Sequence, residues 1–234
     1  MLGIVATLLF PLLRAAGRDR VQRAWCRGVL GALGVRTRLE GELPRGPALL
    51  VSNHVSWLDV IALSAVRPAV FVCKDEVAAW PLIGRLLRGA GTVFIRRGSA
   101  RAAGRAVGEI AAALRSGRLV AVFPEGTTTD GTDVLPFQPA LLQAATDAGC
   151  EVQPVAIAYS SDAAVYAGET RFVDSLRRIA GARGLEVTLS LLPRLPASIA
   201  RREAAILARR RILSRVRHET FAAPSHSRPT LRAA

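Results

Sequence analysis

Ala48-Leu49-Leu50-Val51 is a short apolar run with no polar alternation, and comparable runs recur along the chain. Such runs predict strands buried on both faces. The predicted strands are 35–40, 48–51, 69–73, 92–95, 119–123, 153–159 and 186–192. Between them, apolar positions recur at helical spacing over 58–66, 79–89, 100–115, 135–148 and 173–180. Strands alternating with helices predict an α/β fold with a largely parallel central sheet flanked by helices. A basic helix is predicted over 196–218. The Ala-, Pro- and Ser-containing tail after Phe221 is expected to be disordered. No internal repeat is visible. The expected organisation is a helical membrane-association segment (1–34), an α/β domain (35–219) and a disordered tail (220–234).

The first 13 residues, MLGIVATLLFPLL, are apolar but shorter than the ~20 needed to cross a bilayer. They lack the positive start and cleavage site of a secretory signal. Residues 14–35 then interleave Arg14, Arg18, Arg20, Arg23 and Arg27 with Val21, Trp25, Val29, Leu30 and Leu33. This is the pattern of an amphipathic helix with a basic face. The two segments together read as a membrane anchor lying in the interface, with arginines reaching to headgroups. The alternative is a helical pair packed on the domain.

Charge supports a surface partner. The net charge is +14. Residues 1–50 hold eight Arg against three acids and residues 201–234 nine Arg against two, whereas the middle is nearly balanced. Basic ends around a neutral body suit an anionic membrane surface, and an aromatic content of 5% disfavours base stacking on nucleic acid. The three cysteines are far apart and lack metal-ligand spacing, so neither a disulfide framework nor a metal site is expected.

Four polar clusters each follow a predicted strand: Asn53-His54, Lys74-Asp75-Glu76, Arg96-Arg97 and Pro124-Glu125-Gly126-Thr127. Ligands in open α/β sheets bind beyond the carboxyl ends of the strands, so parallel strands would bring these clusters together. His54 lies where a strand gives way to a helix, and Asp59 falls early in that helix. Five residues on a continuous helix turn through about 140°, so the two side chains meet only if His54 sits in the turn. Ser52, Asn53 and Ser56 are residues suited to such a turn. An imidazole held by a carboxylate is a general base near neutral pH; the plainer reading is a capping His beside a helix-start Asp. Arg96 and Arg97 offer forked donors for a phosphate, or a solvated strand end. Glu125 could hold a polar substrate or orient a loop. Gly126 permits close backbone approach, and Thr127 adds a donor. Lys74, the single Lys among 32 basic residues, could face a developing oxyanion or pair with its acidic neighbours.

Five motifs in order resemble those of the glycerolipid acyltransferase family, typified by 1-acyl-sn-glycerol-3-phosphate acyltransferases. They are His54 with Asp59 (H-x4-D), Lys74-Asp75-Glu76 with Pro81 and Gly84, and Gly91 to Arg97. Phe123-Pro124-Glu125-Gly126-Thr127 and Gln153 to Ile157 complete the set. The resemblance implies acyl transfer from acyl-CoA or acyl-acyl carrier protein to the hydroxyl of a lysophospholipid. His54 and Asp59 would be the base pair; Lys74, Arg96, Arg97, Glu125, Gly126 and Thr127 would bind substrate. It implies no metal or other cofactor, and a place on the cytoplasmic face of the inner membrane. Thr128 departs from the pattern, because many lysophosphatidate-using members carry Arg there. The run from Phe123 to Phe137 is similar to the branch acylating lyso-ornithine lipid. Lysophosphatidate is the first expected acceptor and lyso-ornithine lipid the second. A thioester hydrolase and a non-catalytic basic binding module are the competing classes.

Overall fold

The computed structural model of the protein describes residues 15–79, 83–96 and 99–222. The first part of the expected anchor, Arg97 and most of the expected tail therefore lie outside the described residues.

The chain forms helix α1 (Ala15–Ala32) and strands β1 (Arg36–Glu40) and β2 (Ala48–Ser52). Helix α2 (Leu58–Val66), strand β3 (Val70–Lys74) and the short helices α3 (Asp75–Ala78) and α4 (Ile83–Gly89) follow. Next come β4 (Val93–Ile95), α5 (Ala100–Arg115), β5 (Val120–Val122) and α6 (Gln143–Ala148). The described chain ends with β6 (Glu151–Tyr159), α7 (Phe172–Gly181), β7 (Glu186–Leu191) and α8 (Arg201–Ala222).

The strands form one sheet in the order β1-β7-β6-β2-β5-β3-β4. β2 is central and entirely buried. Side chains on a strand alternate between faces. Leu49 and Val51 accordingly join one core with Ile110, Leu114, Ala208 and Ile212. Ala48 and Leu50 join the other with Cys26, Leu30, Leu58 and Ile179. The molecule is thus three layers, with α5, α6 and α8 on one face and α1, α2 and α7 on the other. Burial on both sides explains why the sequence of β2 reads as an unbroken apolar run.

The largely parallel sheet is observed with one qualification. β6, β2, β5, β3 and β4 run parallel, but β7 is antiparallel to β6 and β1 is parallel to β7. Two strands at one side therefore run against the other five. The helix predicted over 135–148 is also shorter. Its first residues are irregular, a 3-10 turn spans Ala140–Leu142, and α6 follows. Pro136 and Pro139 supply no amide donors, and the Leu135 N–H bonds a side chain instead of a helical carbonyl. The predicted helix 79–89 is replaced by α3 and α4, with residues 80–82 between them outside the described residues. α8 begins at Arg201 and continues past the predicted domain end at 219.

α1 is docked on the fold. Gln22, Cys26 and Leu30 form its buried stripe. Gln22 Nε2 donates to Ser64 Oγ at 3.2 Å, and the Nε atoms of Arg23 and Arg27 donate to the Ala65 carbonyl at 3.3 and 3.0 Å. Ala65 lies in the last turn of α2, where carbonyls lack helical partners and cations are favoured. Two of the arginines expected to face headgroups therefore also cap a neighbouring helix. Burial pushes the Cys26 thiol up to about 12, which keeps it protonated and inert. No helix among the described residues is long and apolar enough to cross a membrane.

Candidate active site

The centre of the site is the turn between β2 and α2. Asp59 lies in the first turn of α2 and is fully buried. Its Oδ2 accepts from His54 Nδ1 at 2.7 Å and from the Val55 and Ser56 amides at 2.8 and 3.0 Å. A side chain reaching back to amides before its own helix is the logic of a capping box. Its Oδ1 accepts from the Tyr159 hydroxyl at 2.6 Å. Burial, with the Asp59 charge beside it, pushes the Tyr159 phenol well above its ordinary range, so Tyr159 remains a donor.

A carboxylate can only accept, so its bond to His54 places the ring proton on Nδ1 and leaves the Nε2 lone pair free. The His54 side chain is 21% exposed, whereas Asp59 is fully enclosed. The ring also stacks on Phe123, with centroids 4.0 Å apart and planes at 14°. Orientation is thus fixed from one edge by Asp59 and from one face by Phe123.

The backbone of the turn is held on both sides. The His54 amide donates to Glu125 Oε1 at 2.8 Å, and the His54 carbonyl accepts from the Thr129 amide at 2.8 Å. The Val55 carbonyl accepts from the Tyr166 amide at 2.9 Å. Asn53 bonds both backbone groups of Ile157, donating from Nδ2 to the carbonyl (2.9 Å) and accepting at Oδ1 from the amide (2.8 Å). Ser52 Oγ donates to the Val155 carbonyl at 2.7 Å. These contacts tie the turn to β6 and to the loop after β5, so the imidazole is carried on a rigid base rather than a free loop.

A side chain able to take a proton, oriented by a buried carboxylate at the carboxyl end of a central strand, suits general-base chemistry. The Acyltransferase family model matches residues 34–158, more than half of the chain and the whole of this constellation except Tyr159 and Tyr166. The chain belongs to the Acyltransferase family. Lyso-ornithine lipid O-acyltransferase of Pseudomonas aeruginosa is 42% identical over 186 residues, 76% of this chain and 71% of that protein. 1-acyl-sn-glycerol-3-phosphate acyltransferase of Neisseria meningitidis is 42% identical over 144 residues, 61% of this chain and 56% of that protein. The crystal structure of the 1-acyl-sn-glycerophosphate acyltransferase PlsC from Thermotoga maritima shares the fold. Its TM-score is 0.74, over 96% of this chain and 90% of that one, at 21% identity.

Within this acyltransferase the expected site residues separate into two groups. His54, Asp59 and Glu125 converge on one turn. Lys74 and Arg96 end β3 and β4, which follow β5 in the sheet order, and Arg96 lies 3.8 Å from Asp75. At about 4.8 Å per strand, the end of β4 is roughly 14 Å from that of β2. The clusters share an edge of the sheet without forming one contact set. Gly126 has φ 72°, which allows its amide to bond back to the Phe123 carbonyl at 3.1 Å and closes the turn. Thr127 is exposed, and it is Thr129 that bonds the His54 backbone.

Glu125 is anchored to backbone. It is 5% exposed, and its second oxygen accepts from the Leu135 amide at 2.8 Å. Both oxygens therefore hold backbone amides. Burial pushes its carboxyl above the ordinary range while the two amides pull it back. The Glu125→Gln variant keeps one acceptor but turns an NH₂ toward the other amide. Leaving that donor unpaired costs about 1–3 kcal/mol. A thermal melt is expected to show that loss, with a reduced turnover number because the His54 backbone is released. An unchanged melting temperature and rate would remove this role from Glu125.

Tyr159 is the residue of this constellation that motif reading missed. It lies 100 residues beyond Asp59. The available signal was its place at the end of a strand two positions after the matched Ile157, alongside β2 in the sheet.

Proposed function

We propose that this acyltransferase moves a fatty acyl group from an acyl thioester, acyl-CoA or acyl-acyl carrier protein, to the free hydroxyl of a membrane lysolipid. His54 Nε2 takes the hydroxyl proton as the oxygen attacks the thioester carbonyl. The tetrahedral intermediate collapses by breaking the C–S bond, and the departing thiolate recovers the proton from the imidazolium. No covalent acyl-enzyme forms, and the scheme needs no metal or cofactor. The observation that carries this reading is the His54 ring, held through Nδ1 by a buried carboxylate with Nε2 left for substrate. Names borne by the relatives, lyso-ornithine lipid and 1-acyl-sn-glycerol-3-phosphate, both describe acceptors with a free hydroxyl beside a charged headgroup. An acceptor embedded in a bilayer fits basic chain ends and the exposed arginines of α1, which would hold the protein on the anionic cytoplasmic face of the inner membrane.

The test is thiol release by the purified protein from palmitoyl-CoA and from palmitoyl-acyl carrier protein, with and without lysolipid. Release that depends on lysolipid and yields the diacyl product is expected. Free fatty acid formed at the same rate without acceptor would replace transferase by thioester hydrolase. No release with either donor would overturn the proposal.

A further inference from the structure

The sheet leaves its parallel pattern where β6 outruns β2, and the extra length carries a side chain into the site. β6 pairs with β2 over residues 151–155 and with the antiparallel β7 over residues 155–159. The end of β6 thus extends about 13 Å past its pairing with β2 and is held by β7 instead. Ser160 closes this overhang. Its amide donates to the Glu186 carbonyl at 3.0 Å, and its Oγ accepts from the Glu186 amide at 2.9 Å. Tyr159 stands at the end of the overhang, the first residue beyond the segment 34–158 that the family model matches.

Part of the Tyr159 side chain reaches the surface, but its hydroxyl is enclosed and donates to Asp59 Oδ1 at 2.6 Å. The other donors described for Asp59, His54 Nδ1 and the Val55 and Ser56 amides, all meet Oδ2. Among the described residues, Oδ1 is therefore held by Tyr159 alone. The Ser56 side chain hydrogen-bonds the Tyr159 oxygen in turn, and Ser56 Oγ accepts from the Leu58 amide at 3.4 Å. Ser56 and Asp59 are both fully buried. A carboxylate only accepts, so the protons of this chain point one way, from Ser56 to Tyr159 to Asp59.

The His54 ring depends on this second hold. Stacking on Phe123 fixes the plane of the imidazole but not its rotation within that plane. The bond from Nδ1 to Oδ2 sets the rotation, and with it the direction of the Nε2 lone pair. Donors gathered on one oxygen leave a pivot about which the carboxylate can turn, and a donor on the other oxygen stops the turn. A buried carboxylate oxygen without a donor is costly. Deprived of Tyr159, Oδ1 would swing toward the amides of the turn and draw Oδ2 away from the ring.

We propose that Tyr159, backed by Ser56, is a positioning residue for the base: it fixes the Asp59 carboxylate through Oδ1 and so aims His54 Nε2 at the acceptor hydroxyl. This role rests on His54 being the base of the proposed transfer, but the Nδ1 proton can be followed without turnover. Tyr159→Phe is compared with wild type, with Ser56→Ala, and with Ile110→Val, a change in the core on the other face of the sheet. Steady-state thiol release gives kcat and KM. Proton NMR of the full chain, 15N-labelled at histidine, gives the Nδ1–H resonance of His54, assigned by its loss in His54→Ala. Tyr159→Phe is expected to lower kcat by about 10–100-fold with KM unchanged, the cost of a misdirected group. Its Nδ1–H resonance should move or exchange away. Ser56→Ala should do the same to a smaller extent, and Ile110→Val should leave both readouts as in wild type.

A folded Tyr159→Phe with wild-type kcat, or one that is slower with the resonance unmoved, would overturn the role. Equal changes in Ile110→Val would do so too, because they would trace the effect to lost stability. If Tyr159→Phe does not fold, Ser56→Ala decides by the same two readouts. If the resonance moves in Tyr159→Phe while wild type releases no thiol with lysolipid, the positioning stands and the proposed reaction falls.

Discussion

Replacing His54 by Ala is expected to lower kcat by roughly 10²–10⁴-fold, the range contributed by a positioned general base. KM for either substrate should change little, because the ring engages the hydroxyl proton and not the lipid or thioester as a whole. The variant should remain folded. The His54 side chain is partly exposed, and its described contacts are the bond to Asp59 and the stack on Phe123. The backbone bonds of residue 54 to Glu125 and Thr129 do not depend on the side chain. Losing the stack costs about 0.5–1.5 kcal/mol. Steady-state thiol release and a thermal melt on the same preparation separate the two effects. A folded variant whose rate stays within a few-fold of wild type would remove His54 as the base.

Asp59→Asn should damage both stability and turnover. Four donors converge on the two carboxylate oxygens: the His54 ring, the Val55 and Ser56 amides and the Tyr159 hydroxyl. An Asn side chain has one acceptor oxygen, so its NH₂ must face a donor inside a fully buried site. One or two unpaired groups at about 1–3 kcal/mol each predict a loss of ~2–4 kcal/mol. At roughly 2–4 °C per kcal/mol for a chain of this size, the melting temperature should fall by about 4–16 °C. The imidazole also loses the acceptor that selects its Nδ1–H tautomer, and the turnover number should fall by ~10³-fold or more. Because Asp59 works through His54, the double variant should be no slower than His54→Ala alone, a non-additivity expected of groups acting as one unit. Independent, multiplying losses would show that Asp59 acts on something other than the ring.

How far these residues could be read in advance followed their separation along the chain. The meeting of His54 with Asp59 was legible, since five residues spanning a strand end and a helix start have few ways to place two side chains together. The four strand-end clusters were legible too, because the strands before them do run parallel. Glu125 was visible as a residue of the site, with substrate holding and loop orientation both open. Nothing local shows that its oxygens fasten the amides of residues 54 and 135, one from another strand end and one from the loop that Pro136 and Pro139 keep from becoming helix. The opposed direction of β1 and β7, and the docking of α1 through Gln22 and Arg27, were equally absent from local pattern.

The sequence by itself determined the seven strands, most of the helices between them, and the short-range pair of His54 and Asp59. Periodicity and turn chemistry act over a few residues and are written in the residues themselves. Only the tertiary structure decided that Tyr159 completes the Asp59 shell and that Glu125 holds backbone amides. Those relations depend on which strands become neighbours and how helices settle on the sheet. That choice is made by the summed burial of the two cores, and no single stretch of sequence carries it.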